Sequence, residues 1–180
     1  MTEKSFLGLS RPWPNYMKHY KPLIEFMKKN SLNVLAANIP RRYASFVSNK
    51  KENILFSMPE YELNFISKPP IYAPIDKYFI KFNRTMGGRI PPERVYQVYR
   101  AQCIKDDTMA MSILNHFKSK KNTNIISFQG CFHSDEYLGL FERVHKGLPN
   151  IKKLLIKIDR KKEMVNLKQF KGFGDFILFV

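Results

Sequence analysis

The chain is short of several things, and each shortage removes a class of protein. Its only cysteines are Cys103 and Cys131, which make neither a disulfide framework nor a metal-ligand spacing; reduced, buried thiols are expected. No apolar run approaches the roughly 20 residues needed to span a bilayer. The opening ten residues lack the long apolar segment of a secretory signal. Glycine is sparse, and the Phe170–Gly174 run has neither the position nor the spacing of a phosphate-binding loop. Acidic residues are scarce too, 15 against 31 lysines and arginines, a formal charge of +16. A nucleic-acid face would need clustered lysines interleaved with exposed aromatics. Here the lysines run along the whole chain and the aromatics fall at core spacing. The abundance of lysine, asparagine and isoleucine is what drift in an AT-rich genome produces without a selected partner. No nucleic-acid partner is expected.

What remains is globular. With 180 residues, 44% of them hydrophobic and 14% aromatic, the chain can build one domain with a real core. It is organised around Asn124–Ser134. Ile125, Ile126 and Phe128 read as a buried strand that stops at Gly130, and His133 follows. That order places an imidazole at the carboxyl edge of a sheet, where open parallel α/β sheets hold ligands. Ser134 or Asp135 then caps a helix carrying Tyr137, Leu140, Phe141, Val144 and Leu148, closed by Gly147 and Pro149. On this reading His133 sits just before a helix N-terminus.

Upstream, residues 13–30 read as a helix with the stripe Tyr16, Tyr20, Leu23 and Met27, anchored by Trp13; His19 beside it reads as structural. Residues 33–37 read as a short buried strand, and 41–48 as a helix after Pro40. Asn38, Arg41 and Arg42 would then share the rim with His133. Residues 50–92, punctuated by prolines, lack periodicity and read as a subdomain or lid. A long helix follows over 93–117. Val95, Val98, Tyr99, Met109, Ile113 and Phe117 form one face, and Gln102 and Asp106 fall near the middle of it. A carboxylate there needs a partner, because an unpaired buried charge is costly; His133, Arg41 and Arg42 are the candidates. Asp107, one step round, reads as solvated. Residues 153–158 and 175–180 read as strands, and Arg160–Lys162 as a solvated turn. The fold class expected is α/β, a mostly parallel sheet flanked by helices with a smaller irregular or helical subdomain, in a single domain over 1–180.

Four ordered motifs resemble the ChaN-type haem-binding uptake proteins of the Tiki superfamily. They are Trp13-x-x-Tyr16 with Tyr20-x-Pro22-x-x-Glu25, then Ala36-Ala37-Asn38-Ile39-Pro40-Arg41-Arg42. Ala101-Gln102-x-x-x-Asp106-x-x-Met109-Ala110 and Gly130-x-x-His133 follow, the latter with Leu138-Gly139 and Arg143. The resemblance implies an α/β sheet domain with a helical subdomain, haem binding linked to iron uptake, and in some cases a dimer that encloses haem pairs. It implies membrane association only by analogy with lipoprotein members. It also implies a tyrosine on the haem iron, for which Tyr43 and Tyr137 stand near the rim loops, and basic or histidine side chains on the propionates. Such proteins usually begin with a strand leading into Gly-Glu-x-His. No Gly-Glu pair occurs here, so the chain is expected to correspond to the C-terminal portion of the family's domain.

The leading expectation is therefore haem binding, without catalysis, at Asn38, Arg41, Arg42, Tyr43, Gln102, Asp106, His133 and Tyr137. The alternative is a metal-dependent hydrolase of the superfamily's esterase-like type. There His133 would be metal ligand or general base, Asp106 its partner, Arg41 an oxyanion holder and a divalent metal the cofactor. A truncated remnant without activity is the second alternative.

Overall fold

In the computed structural model, residues 2–10, 12–86, 88–120, 123–160 and 167–180 are described. The chain forms two compact units, residues 1–36 and 37–180.

The first unit holds helix α1 (Glu3–Leu9), a π-helical turn at Tyr16–Tyr20, and helix α2 (Lys21–Lys29). Thr2 caps α1 by accepting from the Ser5 amide. Pro22 lies in the first turn of α2, where its missing N–H costs nothing. The helix expected over 13–30 is thus split, and its apolar stripe closes no core. Trp13 packs edge-on against Tyr20, with ring centroids 5.2 Å apart, yet stays 62% exposed. His19 is also exposed rather than structural. None of the three helical segments carries a buried residue.

The second unit is built on one long helix. Its elements before that helix are α3 (Arg41–Ser48), α4 (Asn53–Phe56), α5 (Glu60–Leu63) and α6 (Lys77–Met86). The long helix, α7, runs Pro92–Ser119. Pro91 and Pro92 start it, Glu93 sits in its first turn, and His116 and Lys118 sit in its last, as the helix dipole favours. After it come α8 (Leu140–Gly147), β1 (Ile156–Asp159) and β2 (Phe176–Phe179).

Three apolar clusters line up along α7, and the helix contributes to each. Ala101 and Ile104 meet Tyr43, Ala44, Val47, Leu55 and Ile66. Val95, Tyr99 and Cys103 meet Tyr78 and Phe82. Met109, Ala110 and Ile113 meet Leu140. Within residues 50–92, Leu55 and Ile66 are fully buried; this aperiodic stretch packs its own apolar residues against α3 and α7.

The sheet is the main departure from expectation. The fold is mixed α/β but mainly helical. The sheet described has two parallel strands, with Ile156 opposite Phe176 and Asp159 opposite Phe179. It is not the mostly parallel, helix-flanked sheet expected. Residues 33–37 and 125–128 belong to no ladder among the described residues. Ile126 is 81% exposed, so the anticipated buried strand is buried on one side only, through Ile125. Apolar alternation reports which side chains turn inward; it does not report whether another strand lies alongside to accept the backbone bonds.

Two smaller expectations also fail. Cys131 is exposed, whereas Cys103 is buried and burial pushes its thiol up to about 12. Asp107 is not solvated: Arg143 Nε donates to it, and burial raises its carboxyl above the ordinary range against the pull of Arg143. Of the turn expected at Arg160–Lys162, residues 161 and 162 lie outside the described residues.

Candidate functional site

The centre of the site is Asp106, which is 0% exposed. Helical periodicity puts it on the buried face of α7, and two side chains, His133 and Tyr78, satisfy it. Its Oδ1 lies 2.6 Å from His133 Nδ1. Its Oδ2 accepts from the Tyr78 hydroxyl at 2.7 Å. Gln102, one turn earlier on α7, donates from Nε2 to the same Tyr78 oxygen at 3.2 Å. Both carboxylate oxygens are therefore used, as a buried charge requires.

The tautomer of His133 follows from this geometry. Gln102 Nε2 stands 2.9 Å from His133 Nδ1 and 3.4 Å from Nε2. A carboxylate can only accept, so at 2.6 Å from Asp106 the proton belongs on Nδ1. Nε2 is then the acceptor of the ring, with Gln102 Nε2 3.4 Å away as a donor. A carboxylate holding one imidazole nitrogen is the arrangement that orients a metal-ligating histidine. The His133 side chain is 17% exposed, so the ring reaches the surface while its anchor does not.

His133 is held by more than its ring. It ends a 3-10 turn, Cys131–His133, in which its amide donates to the Gly130 carbonyl at 3.0 Å. A second 3-10 turn, Asp135–Tyr137, separates it from α8, whose N-cap is Gly139. His133 is therefore not at a helix N-terminus, and neither Ser134 nor Asp135 caps α8. The loop is pinned from two sides. Lys81 donates to the Asp135 carbonyl at 3.0 Å and stands 3.6 Å from Glu136. Lys157 on β1 pairs with Asp135 Oδ2 at 2.5 Å. Part of the chain's positive charge is thus structural. Gly139 is required by the close approach: it has φ +58, and a Cβ there would lie 2.6 Å from the His133 carbonyl and 3.0 Å from the Tyr78 hydroxyl.

Aromatic rings form one wall. The Tyr78 ring lies 5.6 Å from Phe132 and 5.7 Å from Tyr99. Burial pushes the Tyr78 phenol well above its ordinary range, and the Asp106 charge adds to this, so the hydroxyl stays a donor.

The other sequence candidates are distributed differently. Arg41, exposed at the start of α3, does not touch the Asp106 cluster. It acts electrostatically on Lys105, the neighbour of Asp106 on α7; burial, foremost, holds the half-buried Lys105 ammonium below its usual range. Arg42 and the Tyr43 hydroxyl both donate to Glu62. Asn38 Oδ1 accepts from the Ile39 amide at 2.8 Å and shapes its own bend. The Tyr137 hydroxyl donates to Asp175 at 3.1 Å. The structure brings together Gln102, Asp106 and His133. It adds Tyr78 and Lys105, which sequence reasoning missed. Tyr78 lies in the aperiodic stretch, whose aromatics read as subdomain packing or the apolar wall of a pocket, with nothing to mark Tyr78 as the partner of Asp106. Lys105 could have been found as the cation adjacent to a buried acid.

Compared with known families, residues 1–144 match the one described as haem-binding uptake, Tiki superfamily, ChaN. The chain belongs to this family. All members of the Asp106 cluster, Tyr78, Gln102, Asp106 and His133, fall inside the matched span; β1 and β2 fall outside it. No curated protein and no solved structure matches the chain. No helix among the described residues is long and apolar enough to cross a membrane.

Proposed function

We propose that the chain binds haem as cargo, with His133 as the residue that faces the iron. The observation that carries this reading is the 2.6 Å contact between His133 Nδ1 and Asp106, which leaves Nε2 as the acceptor of a ring that reaches the surface. The residues present fit a haem. Phe132, half-buried and packed on Tyr78, offers apolar ring surface next to His133 in the chain. Lys105 and Arg41 supply positive charge on the α3 side of the cluster, suited to carboxylates. Tyr43 is a poorer candidate for the iron, since it is 2% exposed with its hydroxyl committed to Glu62. A role in haem or iron uptake rests on the family assignment.

Hemin titration into the purified chain tests the reading. A shifted Soret band that saturates at one haem per chain is expected, and His133→Ala should abolish the shift while leaving the far-ultraviolet circular dichroism intact. Loss of the band in Tyr137→Phe, with His133→Ala unaffected, would overturn the assignment to His133. The hydrolase alternative draws no support from side-chain clustering: among the described residues, no group of three or more His, Cys, Asp and Glu side chains could hold a metal ion.

A further inference from the structure

The outer face of the β1–β2 sheet has no cover among the described residues. Side chains alternate along the two strands, and the parallel register puts Ile156 beside Phe176 and Ile158 beside Leu178. Inward, Leu155 and Lys157 are buried, and Ile177 and Phe179 are half-buried. Outward, every position from 154 to 158 and from 176 to 180 is apolar. Leu154 is 70% exposed, Ile156 53%, Ile158 60%, Phe176 56%, Leu178 51% and Val180 77%. Lys152 and Arg160, both exposed, have the same outward parity and flank the patch at the two ends of the β1 segment.

Parallel sheets are covered on both faces, which is why their strands are apolar on both sides. Six adjoining side chains, each more than half exposed, present roughly 600 Å² of contiguous apolar surface, at the upper limit for the largest patch on a monomer. The patch carries no charge, and stacked sheets meet like surfaces at a spacing of roughly 10 Å. We propose that a second copy of this chain covers it, face to face about a two-fold axis. Two such faces bury roughly 1,200 Å², the lower end of what a specific dimer needs. An interface at this lower end is of the size of weak, transient associations.

The charges give the interface a signature. Each copy carries +16, and each face brings its own Lys152 and Arg160. Repulsion opposes the encounter, and salt screens it over a Debye length of about 10 Å at 0.1 M. Added salt should strengthen the dimer. An acidic partner or an anionic lipid surface would instead be released by salt. The surface lies beyond the residues that match the family, and the dimer needs no haem.

Sedimentation velocity on the full chain without hemin, across a concentration series at low and high salt, tests the proposal. A monomer–dimer equilibrium that tightens severalfold at high salt is expected. Ile158→Lys and Leu178→Glu, each at a position more than half exposed, should each weaken it at least tenfold with an unchanged circular dichroism spectrum. Two variants of opposite sign separate loss of the face from a change in net charge. A monomer at every concentration and salt overturns the proposal. So does a dimer that both variants leave intact, or one that loosens with salt. Binding of the unchanged chain to anionic vesicles, lost in both variants and without any dimer, would assign the face to lipid and also refute it.

Discussion

Replacing Tyr78 with phenylalanine removes one oxygen atom from the site and tests its whole hydrogen-bond logic. Tyr78 is 1% exposed and Asp106 0%, so the lost donor is not readily replaced by bulk water. The hydroxyl donates to Asp106 at 2.7 Å and accepts from Gln102 at 3.2 Å. A hydrogen bond to a charged group contributes about 1.5–3 kcal/mol, and one between neutral groups about 1 kcal/mol. Asp106 keeps His133, so the cost stays below the roughly 3–5 kcal/mol of a wholly unpaired buried charge. Tyr78→Phe should therefore destabilise the second unit by about 2–3 kcal/mol, which is about 5–10 °C in Tm for a chain of this length. Combining it with Asp106→Asn isolates the pair. With the charge gone, the phenol matters less, and a coupling of about 1–2 kcal/mol is expected. The assay is urea denaturation of the wild type, both single variants and the double variant, followed by circular dichroism. A cost under about 0.5 kcal/mol, or equal costs in the two backgrounds, would show that the phenol does not serve Asp106.

Gly139→Ala should cost about 2 kcal/mol or more and abolish the hemin Soret shift, because its Cβ would meet the His133 carbonyl at 2.6 Å. Gly88→Ala, with φ +79 but nothing within 4 Å, should cost only about 1 kcal/mol, and thermal melts of the two separate steric approach from backbone strain. Lys105 gives a pH signature: burial holds its ammonium below the ordinary lysine range, and an anionic ligand favours the protonated form. Hemin affinity should be full below that lowered value and fall as pH rises through it, and Lys105→Gln should flatten this fall in titrations across alkaline pH. Leu55→Ala, at a position 0% exposed, should cost about 3 kcal/mol by denaturant titration, placing the proline-punctuated stretch within the cooperative core.

Helices were legible wherever their own residues specified them. The 41–48 helix, the proline start of α7 and the inward face carrying Asp106 all follow from a local repeat, because each helical hydrogen bond closes within four residues. The need for a partner at Asp106 was legible too, since a buried carboxylate cannot stand alone. The sequence placed Gly130 and His133 in a loop of the right kind, but not the geometry of that loop. Its two 3-10 turns, with Glu136 and Tyr137 at positive φ, depend on Lys81 and Lys157 reaching in from α6 and β1.

What residues determine by local repeat, the sequence by itself decided: where the long helix α7 runs, which of its faces turns inward, and that Asp106 would need a companion. Only the tertiary structure decided that the companions are His133 and Tyr78, 27 and 28 positions away in opposite directions along the chain. It alone decided that 33–37 and 125–128 remain outside any ladder while β1 and β2 pair. The physical reason is the range of the forces. A helix satisfies its backbone within itself, whereas a strand and a buried ion each require a neighbour that the chain must bring from far away.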